Sequence, residues 1–524
     1  MTKFPKCLLF FLCLPLLSYA QAGRGGWTTF GGDLQRSGWN QSETDLTKDN
    51  VKNLKLEWSL KLDSQPKGLF GLTAPIVRVN VATPRGVKDL IVVAGASDKL
   101  FVVDGDTGKI YWEKTLSTDA KPARPESWLC PNALLATPVI GTLPGKGQAV
   151  FSLASDGKLH AFQLVSGEDL LPATAFVPAF SKAWSMSLAN NIIYTATSQG
   201  SCTGSKAGVY AMDLTDPNRK VTVFQAAVSG AGIWGRAGVA MTADGKLVVE
   251  TGDGPWDPAK GNYSDSVVIL SPKDLKPLDY FTPANRAWMT KKDLDMGSIG
   301  PIVFPFHGTE LTADSGKEGV IFLLDTKSPG GADHRTPLFR SPIYTNEEIN
   351  FAGKGFWGAF SSWEDQAGTR WLYAPAYGPP AKDIKFPTEY GATPNGSVMA
   401  FKVELKGDKP RLTPAWNSVD MSVPTPVVIA NDVVYALSDG DSPVQFGSNG
   451  GLLNTEQRKA AAGHSILYAL DPQTGKVLFS SGDTIHSFSH FNAPVVAGGR
   501  AYVVTYDGML YAFSLGSQRL PATP

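Results

Sequence analysis

Four short stretches of this chain carry residue types able to do chemistry. Thr251-Gly252-Asp253-Gly254 sets a carboxylate in a glycine-rich turn, and Lys292-Asp293-Leu294-Asp295 adds two more. Carboxylates are hard oxygen donors suited to Ca²⁺, and a positioned one accepts protons. Gly316-Lys317-Glu318-Gly319 holds an ammonium between glycines, where it can stabilise negative charge as it develops. Gly230-Ala231-Gly232-Ile233-Trp234-Gly235 offers an indole, the largest flat apolar face a side chain provides. Each stretch also has a plainer account: a self-capped Asp-Gly turn, a surface acidic pair, a solvated turn lysine, a core tryptophan. Residue type does not choose between the accounts. The elements that position these residues do.

Those elements repeat. Leu467-Tyr468-Ala469-Leu470-Asp471-Pro472-Gln473-Thr474-Gly475-Lys476 has a second copy in Leu100-Phe101-Val102-Val103-Asp104-Gly105-Asp106-Thr107-Gly108-Lys109. Weaker copies lie at Leu159–Phe162, Val209–Asp213, Val267–Leu270, Ile321–Asp325, Val398–Phe401 and Leu510–Phe513. These eight copies start about 43 to 77 residues apart, and a unit recurring at such a period marks a repeat architecture. Asp507-Gly508 between two apolar runs is a tight hairpin signal. Thr73-Ala74-Pro75, Ala136-Thr137-Pro138, Pro424-Thr425-Pro426 and Asn492-Ala493-Pro494 open units; proline is tolerated at a strand start, where its missing N–H joins no ladder. About four strands per unit is one propeller blade. The predicted fold is therefore all-β, an eight-bladed β-propeller over residues 23–524, with the stretch near Trp27 completing the ring beside the C-terminal strands. Two stretches, about 340–395 and about 440–463, exceed what a blade needs; the second ends in a short helix-like piece, Asn454 to Ala462. Long loops of this kind are often functional lids.

Composition narrows the function. Lys3 and Lys6 precede an apolar run from Cys7 to about Leu17, then small residues at Ser18, Ala20 and Ala22. This reads as a signal peptide over residues 1–22, too short for a membrane span. The expectation is an exported protein, periplasmic or secreted, without a membrane span. Lysine plus arginine equals aspartate plus glutamate at 48 each, so bulk charge attracts neither nucleic acid nor anionic membrane. Outside the leader, the cysteines are Cys130 and Cys202. Export permits a disulfide between them, and sequence leaves its formation open. No Cys-x-x-Cys-His occurs, which excludes covalent c-type haem. His486 and His490 are four apart, but Ser, Phe and Ser between them and a β-like run after them read as loop or strand histidines rather than a helical zinc pair.

The chain resembles the eight-bladed propellers that bind pyrroloquinoline quinone (PQQ), the quinoprotein alcohol dehydrogenase family. Trp27-x-x-Phe30-Gly31-Gly32-Asp33, Asn50-Val51-x-Asn53-Leu54-Lys55-x-x-Trp58 and the Leu-Tyr-Ala-Leu-Asp-x-x-Thr-Gly-Lys repeats carry the resemblance over the whole mature chain. It implies PQQ and Ca²⁺ as cofactors, an alcohol or other small hydroxyl compound as substrate, and an external electron acceptor such as a soluble cytochrome. It also implies roles: Trp234 as the floor under the quinone, Asp295 as base with Asp293 as near miss, and Lys317 as the group bonding the quinone oxygens. Asp253 and Asp295 would be Ca²⁺ ligands, with Asp253 where the family has asparagine, and Arg236 and Lys206 would be partners for the cofactor's carboxylates. Departures are equally specific. Cys202 stands where the family places a glutamate Ca²⁺ ligand, and a soft thiol ligates Ca²⁺ poorly. The vicinal cysteine pair is missing, leaving Cys130 single and, by the resemblance, set to pair with Cys202 above the pocket. The appended haem domain is absent. A non-catalytic propeller acting as an envelope scaffold is the rival reading, favoured by the altered metal site.

Overall fold

A computed structural model describes residues 26–116, 118–198, 204 and 206–516. Eight sheets follow one another around a ring, antiparallel except where Trp39–Asn40 and Thr388–Glu389 add short parallel edges to the seventh and sixth. Seven lie in chain order, spanning 76–115, 139–175, 187–225, 240–281, 302–340, 361–417 and 428–480. The eighth is composite. Val495–Ala497, Arg500–Val504 and Met509–Ser514 supply its inner strands, and Lys55–Lys61 from the other end of the chain supplies its outer one. The closing strand is thus the one holding Trp58, not the stretch near Trp27; Trp27 instead bridges to Val77 in the first blade. Every signature copy is the third strand of its blade.

Strand periodicity builds the core. Successive side chains point to opposite faces of a sheet. In Gly86–Gly95, Ile91 and Val93 pack toward the seventh and eighth blades, while Leu90 and Val92 pack toward the second. Both faces of a blade are buried, so these strands read as continuous apolar runs.

The turn that follows a signature strand also joins blades. Asp471 accepts backbone hydrogen bonds from Gln473 and Thr474, which bends the chain back and brings Gly475 against the Trp416 ring of the preceding blade. A Cβ on Gly475 would lie 2.5 Å from that ring. The Trp416 indole N–H completes the joint by donating to the Pro472 carbonyl at 2.9 Å. Trp58 and Trp112 make the same joint, donating to Gly105 and Leu164. The Thr-Gly of the repeat is therefore a socket for the neighbouring blade's indole.

Part of the aromatic stretch at about 340–395 belongs to the blade itself, through the strands Ser361–Glu364 and Arg370–Tyr377. Trp363, Trp371 and Tyr373 are buried in the sixth blade.

Candidate functional site

In a ring of four-stranded blades, the links between blades and the turns between second and third strands emerge on the same face. Ten such segments meet around a cavity of about 360 Å³. Trp234 and Arg236 come from the link between the third and fourth blades, and Asp293 and Asp295 from the next link. Asp253 and Lys317 sit on the second-to-third-strand turns of the fourth and fifth blades.

One wall is acidic. The helix Arg286–Lys292 ends with Asp293 in the left-handed region, which swings the chain so that Asp295 turns inward. Carboxylate oxygens of Asp253, Asp293 and Asp295 all lie within 4.8 Å of one another. Lys317 bridges two of them, with Nζ 2.6 Å from Asp295 Oδ2 and 2.9 Å from Asp293 Oδ1. Asp295 Oδ1 accepts the Asp253 backbone N–H at 2.8 Å. Glycine permits this closeness: a Cβ on Gly316 would stand 2.2 Å from the Asp295 carbonyl oxygen. Burial works to raise the Asp295 carboxyl, but the Lys317 ammonium and the Asp253 contacts hold it below the usual carboxylate range. Asp253 goes the other way, pushed up to about 7 by burial and then by the Asp295 charge. Burial would lower Lys317, yet Asp295 and Asp293 hold it above the ordinary lysine value.

The other wall is cationic and aromatic. Lys182 Nζ lies 5.4 to 5.7 Å from the ring centres of Trp234, Phe70 and Trp184, and among the described residues it has no carboxylate within ion-pair distance. Arg236 lies over Phe70, Trp184 and Phe491. Its Nη1 reaches Asn492 at 3.4 Å, while Nε and Nη2 are buried without a partner. Burial, then the neighbouring Arg236 and Arg458, pushes Lys182 down to about 7; burial takes Arg236 to about 9. Arg458 bonds Asp441 Oδ2 at 3.3 Å and the Ser442 carbonyl at 2.9 Å. Trp357 closes the side between the two walls, 5.3 Å from Lys317 Nζ and stacked on Tyr377 at an interplanar angle of 9°.

Trp234, Arg236, Asp253, Asp295 and Lys317 thus line one cavity, and Asp293 joins them. Lys206 does not: it is exposed and stands outside the lining. Cys130 is disulfide-bonded; Cys202 lies outside the described residues, as do the leader at 1–22 and residues 23–25 and 517–524. Sequence reasoning missed Lys182, Arg458 and His490. The insertion at about 440–463 was a signal, since its helix Thr455–Ala460 delivers Arg458 and its loop delivers Phe446 and Leu452. His490 was weighed only as a partner for His486, whereas its partner is Asp441.

Over residues 40–223 the chain matches the PQQ-repeat family described as outer membrane protein assembly factor BamB. No curated protein matches it in sequence. Among solved structures it is similar to a quinohemoprotein alcohol dehydrogenase of Pseudomonas putida HK5, at 14% identity and a TM-score of 0.60, over 96% of this chain and 82% of that one. It is likewise similar to a europium-containing methanol dehydrogenase, at 13% and 0.62 over 94% and 98%. A quinohemoprotein alcohol dehydrogenase of Comamonas testosteroni gives 16% and 0.58 over 96% and 83%. At these identities the likeness is one of fold. The chain has the architecture of the PQQ-type eight-bladed propellers, and no haem domain is evident among the described residues.

Proposed function

We propose that this chain is an exported quinoprotein-type oxidoreductase that oxidises an alcohol or other small hydroxyl compound with PQQ and passes electrons to an external acceptor such as a soluble cytochrome. The supporting observation is the two-walled cavity: Arg236, whose Nε and Nη2 are buried without a partner, lines the same space as three converging carboxylates. An uncompensated buried charge is costly, and a flat polycarboxylate relieves it. The donor sets fit both groups. Arg236 and Lys182 would take cofactor carboxylates, and Trp234 would stack on the ring. Asp253, Asp293 and Asp295 offer the hard oxygens that Ca²⁺ prefers. When bound, the quinone supplies a hydride-accepting carbonyl carbon and Ca²⁺ polarises it. The chain's own part is to hold the substrate near Asp295, which accepts the hydroxyl proton, while Lys317 keeps that carboxylate ionised. The aromatic side chains exclude water.

The match at residues 40–223 supports a second reading, a non-catalytic envelope scaffold. Absorbance spectra of the purified protein with PQQ and Ca²⁺, followed by dye-linked oxidation of alcohols, separate the two. Quinone uptake with turnover is expected; no uptake with or without Ca²⁺ decides for the scaffold. Export is checked by the mature N-terminal sequence. No described helix is long and apolar enough to cross a membrane.

A further inference from the structure

The cationic wall contains a histidine that the reading above leaves unused. His490 is 4% exposed and lines the cavity, packed edge-on against Phe70 with ring centres 4.8 Å apart. Its Nδ1 lies 2.6 Å from Asp441 Oδ2. Asp441 already accepts from the Ser442 N–H at 2.7 Å and from Arg458 Nη2 at 3.3 Å. A carboxylate so placed is an acceptor, and the proton between it and the imidazole belongs to Nδ1. The tautomer follows: Nε2 carries the lone pair, and no described residue bonds it. Burial pushes the imidazole down to about 4, with Arg236 and Arg458 adding to this against the pull of Asp441, so the ring is neutral. Lys182, Arg236 and Arg458 offer only donors. On this wall Nε2 is an acceptor of fixed direction, and a carboxylate ligand cannot use it. A hydroxyl can.

We propose that His490, held by Asp441, is a specificity-determining residue that accepts a hydrogen bond through Nε2 from a hydroxyl group of the ligand. Asp441 is its positioning residue, and the buried Arg458 fixes Asp441 in turn. The inference shares with the proposed function only the premise that the ligand carries a hydroxyl, and it concerns binding rather than turnover.

The test is nuclear magnetic resonance on the full-length protein, without cofactor, labelled with ¹⁵N-histidine. The chain has six histidines, and His490→Gln identifies the resonance. A neutral ring with Nδ1 protonated and Nε2 bare is expected. Titration with 1,2-propanediol should move the Nε2 signal, and 1,2-dimethoxyethane, which has no O–H, should not. Loss of this one hydrogen bond in His490→Phe, which has no acceptor atom, should weaken diol binding by about tenfold. A ring protonated at Nε2, or an Nε2 signal indifferent to saturating diol, overturns the proposal. Quinone uptake with a silent Nε2 removes this inference alone. An Nε2 response without quinone uptake removes the oxidoreductase reading alone.

Discussion

The two walls of the cavity handle charge in opposite ways. On the acidic wall Lys317 pairs with both Asp295 and Asp293 from within the fold, one ammonium against two carboxyl groups. On the cationic wall Lys182 has no carboxylate within ion-pair distance among the described residues, and Arg236 keeps two donors unpartnered. The first wall is partly satisfied from within the fold; on the second, two buried donors have no partner among the described residues. A buried charge that lacks a partner lowers stability, so the cationic wall is a cost to the cofactor-free fold.

That contrast predicts mutations of opposite sign. Lys317→Ala leaves three carboxylates converging on nothing. It should lower stability by about 3–5 kcal/mol, the scale for breaking a buried pair, and abolish dye-linked oxidation; urea unfolding and steady-state rates check both. Asp295→Ala should keep quinone binding but lose oxidation by at least about a hundredfold, the scale of general-base help. If oxidation survives, the proton acceptor lies elsewhere in the cavity. Lys182→Met should raise the stability of the cofactor-free protein by on the order of 1–4 kcal/mol, while quinone binding weakens. A loss of stability would mean that Lys182 is paired after all.

The smallest effect is a pH slope. The folded Lys182 value of about 7 lies below its unfolded value. Between the two, the unfolded chain binds the extra proton, so stability rises with pH. Asp253 is raised to about 7, so the folded state binds the extra proton above the ordinary carboxylate value, and that contribution fades as pH climbs through 7. Stability should therefore fall toward pH 7 and recover above it. Lys182→Met should remove the rise between about pH 7 and 9 and leave the rise that Arg236, lowered to about 9, contributes above it, measured by urea unfolding across pH 5 to 10.

The sequence exposes the fold far better than the cavity. A third strand must match both neighbouring blades, so its apolar pattern survives in all eight copies, while Trp58, Trp112 and Trp416 mark three blades whose turn also seats an indole. Ring closure was misplaced because Trp27 and Trp58 are both plausible strand residues, and only pairing with Met509–Ser514 distinguishes them. At the site, Trp234, Asp253, Asp295 and Lys317 stand in short glycine-flanked stretches, where close backbone approach leaves a local trace. His490 leaves none, since Asp441 lies 49 residues away and the contact exists only once two loops meet. Lys206 shows the converse error: a basic residue near the right segment turns outward when nothing in its own stretch forces it in.

The composite eighth blade makes folding wait on synthesis. Three of its strands end at residue 514, while the fourth lies at 55–61. A nascent chain can complete seven sheets in order, but the ring stays open until the strand Met509–Ser514 has emerged. Until then Lys55–Lys61 is a strand without its partner, and unpaired strand edges recruit other chains. A stalled or C-terminally clipped copy would therefore be more than an inactive protein. It would be an open clasp, ready to fasten onto the Met509–Ser514 strand of an intact neighbour before that neighbour closes on itself.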